Sequence, residues 1–261
     1  MSHGGASGFW RISMRRRDAM HEEARPRLGR GLSRGDALFF DFDGTLAPIR
    51  DDPSAVFLSD RTAAALAAAA ARAGAVMVLS GRDAEDLDRR VPRFLWRGAR
   101  HGLLIAPPGA ALAAAGAAPA PLAAAFAAIA RAFPGARLEI KGEVLALHFR
   151  AVPADGPAIV GAAREAAAPW RSYVVQQGKC VVEAKPEAAD KGKVVAELMG
   201  APPFAGLHPV YIGDDATDED AFAAVNRLGG LTVKVGEGAS LARARLASPD
   251  SVTDWLDGVL A

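Results

Sequence analysis

Three short apolar runs show no polar alternation: residues 37–41, which close on Asp41, Ala75–Leu79 and 209–212; Leu231–Val235 reads as a further strand. A strand buried on both faces reads as the three runs do. Helical patterns follow at 61–72, 84–89, Lys191–Met199, 217–225 and 252–260, with a further strand at 94–97. Asp60 stands where an N-cap belongs, and Gly74 where the first helix should stop. Alternating buried strands and helices predict a parallel sheet with helices on both faces.

The texture changes after Gly102. Pro107, Pro108, Pro119 and Pro121 bracket an Ala/Gly-rich connection. Beyond it the order is helix-strand-strand, twice: 122–133, Arg137–Lys141 and 144–150, then 157–168, 172–176 and 180–184, with turns near Gly142 and Gly178. Along 144–150, Val144, Ala146 and His148 share one face; Leu145, Leu147 and Phe149 share the other. The parallel pattern resumes after Pro186. The expected fold is therefore α/β: a Rossmann-like parallel-sheet core over 35–105 and 187–261, an inserted α+β cap domain over 106–186, and a disordered basic tail over 1–34.

Composition removes several classes. With 51% hydrophobic and 23% charged residues among 261, the chain is neither collagenous, coiled-coil nor wholly disordered. A single cysteine, Cys180, excludes an internal disulfide and a Cys-based zinc site. The 59 alanines, and 25 arginines against 6 lysines, fit a GC-rich coding sequence better than any function. The net charge of +1 hides +5 over residues 1–35 and −4 over the rest. An acidic body has no nucleic-acid footprint. No run approaches the roughly 18 apolar residues of a membrane span, and no apolar run follows the N-terminal arginines as in a secretory signal. Asp18, Glu22 and Glu23 count against a transit leader. A cytoplasmic protein that binds neither membrane nor nucleic acid is expected.

Three segments put polar residues at the C-terminal ends of buried strands, the ligand-binding edge of an open parallel sheet. The first is Asp41-Phe42-Asp43-Gly44-Thr45. Carboxylates two apart on extended chain point the same way, repel, and need a cation or a shared proton. A hard, oxygen-ligated Mg2+ suits them; a polar turn is the alternative. The second is Ser80-Gly81-Arg82, where a hydroxyl and backbone N–H groups could hold a phosphate oxygen. The third, Gly213-Asp214-Asp215-Ala216-Thr217-Asp218-Glu219-Asp220, crowds acids after a strand. Capping by Thr217 with an acidic first turn could account for Asp218, Glu219 and Asp220, but less well for Asp214 and Asp215. Lys191 opens a helix against the macrodipole; it is either a solvated lysine or the cation facing these acids.

Together, in this order and spacing, these segments resemble the four motifs of haloacid dehalogenase-like phosphatases. Finer text is similar to trehalose-6-phosphate phosphatases: Lys141-Gly142, 147–150, 178–183, Lys185-Pro186, Asp190-Lys191-Gly192, 213–222 and 226–230. The likeness spans about residues 36–257. It implies Mg2+-dependent hydrolysis of trehalose 6-phosphate through an aspartyl-phosphate. Asp41 would be the nucleophile and Asp43 the general acid and base. Asp41, the carbonyl of Asp43 and Asp214 would ligate the metal, with Asp215 or Asp218 in support. Thr45, Ser80, Gly81 and Lys191 would hold the phosphoryl group, and Arg82, His101, Lys141, His148, Lys179 and Glu183 the sugar.

Lys179 and Glu183, four apart, would share a strand face and could clamp sugar hydroxyls; a surface ion pair worth under about 1 kcal/mol is the alternative. His148, beside Val144 and Ala146, also reads as structural. One departure from the family stands out. His101-Gly102 runs on into Leu103-Leu104, where a small residue and a glutamate are usual, and Arg100 is an extra residue before His101. Rival readings are a phosphatase for sucrose phosphate or mannosyl-glycerate phosphate, and a non-catalytic sugar-phosphate sensor. The length leaves no room for a synthase domain. A monomer is expected, with a separate synthase as a conceivable partner.

Overall fold

The computed structural model describes residues 31–113 and 116–260. Most of the expected tail lies outside these residues. Its last four, 31–34, pack on the core: Leu32 N donates to the Val259 carbonyl (3.0 Å), and the Arg34 guanidinium to the Ala73 carbonyl (3.1 Å).

The chain runs β1 (Asp36–Phe40), α1 (Asp60–Arg72), β2 (Ala75–Leu79), α2 (Ala84–Arg90), β3 (Trp96–Ala99) and β4 (Leu104–Ala106). Then come α3 (Ala120–Ala132), β5 (Arg137–Lys141), β6 (Val144–His148), α4 (Gly156–Ala167), β7 (Tyr173–Gly178) and β8 (Val181–Pro186). The return comprises α5 (Lys191–Met199), β9 (His208–Gly213), α6 (Glu219–Arg227), β10 (Leu231–Val235), β11 (Ala244–Leu246) and α7 (Pro249–Leu260).

The large sheet has the order β11-β10-β9-β1-β2-β3-β4 and is parallel except for β4. Side-chain alternation explains why its central strands β1, β2 and β9 are largely apolar on both faces. Leu38, Phe40, Val76, Val78 and Ile212 face Leu66 of α1 and Leu256 of α7. Ala37, Phe39, Met77 and Tyr211 face Val195 of α5 and Phe222 of α6. Two layers of helices thus hold β1, β2 and β9 side by side, with their C-terminal ends on one edge.

The small sheet, β5-β6-β8-β7, is antiparallel throughout. Leu145, Leu147, Val182 and Ala184 bury its outer face under Phe126 of α3 and Ile159 of α4. Its inner face therefore carries the alternate positions. Glu139, Ala146, Glu183 and Gln176 form one row across all four strands.

Some local expectations are corrected. Ser59, not Asp60, caps α1: its Oγ accepts from Thr62 N (3.0 Å). A free hydroxyl on extended backbone cut the helix one residue earlier than the acid suggested. The three-residue edge strands β4 and β11 are too short to leave a period in the sequence. The third core strand begins at Trp96 rather than near residue 94, and β7 runs on to Gly178.

Candidate active site

Asp41 leaves the end of β1 with its amide on the Ile212 carbonyl (2.9 Å), so the β1–β9 ladder fixes its direction. Its carboxylate is almost wholly buried. Lys191 enters from the first turn of α5, where Asp190 caps the helix by accepting from the amides of Gly192 (2.7 Å) and Lys193 (3.0 Å). The lysine Nζ donates to Asp41 Oδ1 (2.6 Å) and Asp218 Oδ1 (2.7 Å). Two carboxylates offset the unfavourable dipole end that Lys191 occupies.

Asp218 organises the third segment. It is fully buried. Besides Lys191, its Oδ1 accepts from Tyr211 Oη (2.8 Å), and its Oδ2 accepts from the amides of Asp214 (2.9 Å) and Asp215 (3.0 Å). A buried carboxylate needs such a full set of donors. Capping in this segment falls to Asp215 rather than to Thr217: Asp215 accepts from Ala216 N (2.7 Å) at the head of a 3-10 turn over Ala216–Asp218.

Carboxylate oxygens of Asp41, Asp214 and Asp218 lie within 4.8 Å of one another. Burial pushes Asp41 well above the usual carboxylate range; Lys191 opposes this, while Asp218 and Asp214 add to it. Asp214 is raised to about 7 by burial and by Asp218 and Asp215. Burial works against the Lys191 ammonium, but Asp218 and Asp41 hold its pKa well above that of a free lysine. Gly44 makes the crowding possible. It has φ +79°, and a Cβ there would fall 2.2 Å from Asp214 Oδ2. Thr45 Oγ1 sits 3.4 Å from Asp214 Oδ1, and the Lys234 amine caps the Asp214 carbonyl. Such a set of hard, mutually repelling oxygens suits a divalent cation such as Mg2+. Asp215 stands outside this trio: its Oδ1 accepts the Ala216 amide at the cap, while the residue lines the same cavity as Asp41 and Lys191.

Asp43 lies beside the acids but turns to Arg82, which grips it twice (Nε–Oδ2 2.7 Å, Nη2–Oδ1 2.5 Å). Arg82 is steadied by Asp86 Oδ2 (2.5 Å) and stacks on the Phe42 ring. Ser80 Oγ accepts from Arg82 N (3.1 Å), shaping the loop after β2.

These groups open into a cavity of about 190 Å³ whose far wall is the inner face of the small sheet. There Glu183 Oε2 meets His101 Nε2 (2.9 Å) and Glu183 Oε1 meets Lys141 Nζ (3.3 Å). Burial alone would raise Glu183; Lys141 and His101 outweigh it and hold the carboxyl well below its usual range. Burial lowers His101 to about 4 against the pull of Glu183, so the ring is neutral and Nε2–H donates. Nδ1 of His101 and Oε1 of Gln176 are buried polar atoms with no protein partner, and both residues line the cavity. His148 Nε2 pairs with Glu139 (2.7 Å) at the rim.

Asp41, Asp43, Ser80, Gly81, Arg82, His101, Lys141, His148, Glu183 and Lys191 thus share one cavity, with Thr45 packed behind the acids. Lys179 does not join them. It lies exposed in the two-residue turn between β7 and β8, not on a strand face with Glu183. Sequence reasoning missed Gln176, Tyr211, Lys185 and Lys234. Lys185 was within reach, since it lies two along from Glu183 and so on the same face; it is buried. Gln176 becomes visible only through the cross-strand register.

The sequence profile of the trehalose-phosphatase family matches residues 39–250. The chain is 40% identical over 232 residues to a trehalose-6-phosphate phosphatase of Escherichia coli K12, covering 87% of each. It is 37% identical over 242 residues to a trehalose-phosphate phosphatase of Mycobacterium tuberculosis H37Rv, covering 87% of this chain but only 61% of that longer protein. Among solved structures, the C-terminal domain of Candida albicans trehalose-6-phosphate phosphatase superposes with a TM-score of 0.78 at 24% identity, covering 94% of this chain and 96% of that one. At that identity the likeness speaks for the fold.

Proposed function

The chain belongs to the trehalose-phosphatase family of phosphoric monoester hydrolases, and within it we propose Mg2+-dependent hydrolysis of trehalose 6-phosphate to trehalose and phosphate. One observation supports this most. A single cavity joins a lysine-bridged acid cluster at one end to buried hydroxyl-binding groups, two of them with an unpartnered polar atom, at the other.

In this proposal Asp41 attacks phosphorus, and the bond from phosphorus to the sugar C6 oxygen breaks. Asp43 must leave Arg82 and take up a proton from solvent before it gives that proton to the departing sugar oxygen; as a carboxylate again, it takes a proton from the water that attacks the aspartyl-phosphate. Phosphate departs and Asp41 is regenerated. Lys191, Thr45, Ser80 and the Gly81 amide hold the phosphoryl oxygens as charge builds on them. Asp41, the Asp43 carbonyl and Asp214 would hold the metal. When bound, Mg2+ supplies charge neutralisation between these carboxylates and the phosphoryl group. Asp218 aligns Lys191 with Asp41. Glu183 and Lys141 accept from and donate to sugar hydroxyls, with His101, His148 and Gln176 around them. We further propose that 106–186 acts as a cap on the core formed by 35–105 and 187–261, excluding water while it is closed.

The test is phosphate release from a panel of sugar phosphates, with and without EDTA. Trehalose 6-phosphate should be strongly preferred and EDTA should abolish turnover. Equal rates on glucose 6-phosphate would sink the substrate assignment; a preference for sucrose phosphate or mannosyl-glycerate phosphate would replace it.

A further inference from the structure

We infer that Arg100 is a positioning residue for the sugar end of the site: by pinning the β5–β6 turn to the core it sets where Lys141 stands, and so favours a disaccharide phosphate over a small phosphoester. This rests on the function proposed above.

Arg100, His101 and Gly102 take left-handed backbone in succession, with φ 51°, 58° and 95°. Two side-chain-bearing residues in that region persist only where their surroundings over-determine them. Here the amides of Arg100 and His101 donate to the carbonyls of Arg82 and Ser80 (both 2.9 Å), locking the turn onto the loop after β2. Consecutive side chains are thereby driven into the small-sheet side: His101 reaches Glu183, and Arg100 reaches Glu143.

The Arg100 guanidinium bridges the two sides. Its Nε holds Asp83 Oδ1 at the start of α2 (2.7 Å), and its Nη1 holds Glu143 Oε2 just after β5 (2.9 Å). The Arg100 side chain is only 4% exposed, while its carboxylate partners keep partial contact with solvent. The turn closes directly on it: a Cβ on Gly142 would fall 1.9 Å from Nη1. Lys141 precedes Gly142 and Glu143 follows it, so the tether lies next to the cation that meets Glu183. Tyr173 Oη donates to the Glu143 carbonyl (2.9 Å), binding β7 to the same turn. Of the other charged contacts across the same divide, the hydrogen bond from the neutral His101 to Glu183 belongs to the site itself, and the Arg150–Asp51 ion pair is long (3.8 Å) and exposed. The turn is thus held from outside the sugar pocket by Arg100.

Glu143→Gln keeps the shape and removes the charge. For trehalose 6-phosphate we expect KM to rise about tenfold with kcat within about twofold, less than the roughly 10²-fold that a full 1 Å misplacement can cost, since Glu143→Gln keeps the side chain's shape. Hydrolysis of para-nitrophenyl phosphate, which has no sugar for Lys141 to reach, should not change, and Glu143→Asp should recover part of the loss. An unchanged KM, or an equal loss on both substrates, would overturn the inference. If the wild-type protein ignores trehalose 6-phosphate, the substrate assignment fails instead. X-ray scattering then decides: Glu143→Gln should have a larger radius of gyration than wild type, and identical curves would refute the tether.

Discussion

The large sheet places its polar side chains at the C-terminal ends of β1, β2 and β9, whereas the small sheet places its own across one face of β5, β6, β7 and β8. At a strand end the chain leaves the ladder, so neighbouring residues can converge on one point without disturbing the core. Asp41, Ser80 and Asp214 arrive this way, and Lys191 comes from a helix start opposite. On a sheet face, convergence depends instead on register. Glu139, Glu183 and Gln176 fall in one row because four strands pair in register, and a one-residue slip would turn each away. The first design concentrates charge at one point. The second spreads hydrogen-bonding groups across a surface.

The comparison breaks most sharply at Asp41. Asp41→Asn should lower phosphate release by more than about 10³-fold on trehalose 6-phosphate and para-nitrophenyl phosphate alike, as loss of a nucleophile does. Circular dichroism should show an intact fold. Appreciable residual turnover would remove Asp41 from the chemistry.

Metal removal should be nearly as severe and equally indifferent to the sugar. Dialysis against EDTA should abolish turnover of both substrates and added Mg2+ should restore it, read by phosphate release. Full activity after dialysis would contradict the role given to Asp41 and Asp214.

Loss at the small-sheet end should be selective. Glu183→Ala strands Lys141 and His101 and removes a sugar acceptor. It should raise KM for trehalose 6-phosphate by about 10–100-fold, the cost of a hydrogen bond to a charged group. Turnover of para-nitrophenyl phosphate should survive. A parallel loss on both would mean that the two ends do not divide the work.

The smallest effect is on stability. His101 is lowered to about 4, against 6.5 for an unperturbed histidine. Between those values the unfolded chain binds the extra proton, so stability is complete above about pH 6.5. It should fall by about 3 kcal/mol as the pH drops to about 4, then level off for this group. Glu183, held low, removes further stability only below its own unfolded pKa, near 4.5. Asp214, raised to about 7, contributes the opposite slope over this span in both proteins, so the difference between them is what reports His101. From pH 7 to 4 the melting temperature of wild type should fall relative to that of His101→Asn, and parallel pH profiles would assign no such loss to His101.

Much of this was legible along the chain. Ala75–Leu79, Arg137–Lys141, Lys191–Met199 and Leu231–Val235 have the bounds their patterns predict. The helix-strand-strand repetition located the small sheet. Lys191 was identifiable as a cation facing acids because a lysine at a helix start has no local reason to be there. Lys179 was misplaced because it was assigned by spacing on an assumed regular strand, whereas the backbone turns there, between β7 and β8.

The sequence by itself therefore determined where the backbone leaves each buried strand, and which charged residues wait there. Burial patterns and strand exits are local, written in consecutive residues. Only the tertiary structure decided the pairings. Asp43 goes to Arg82, Asp218 goes to Lys191 and Tyr211, Glu183 goes to His101 and Lys141, and Arg100 spans Asp83 and Glu143. A carboxylate's partner is whichever donor a distant segment brings within about 3 Å. That depends on strand register and on how closely the two sheets approach, and neither is written at the residue itself.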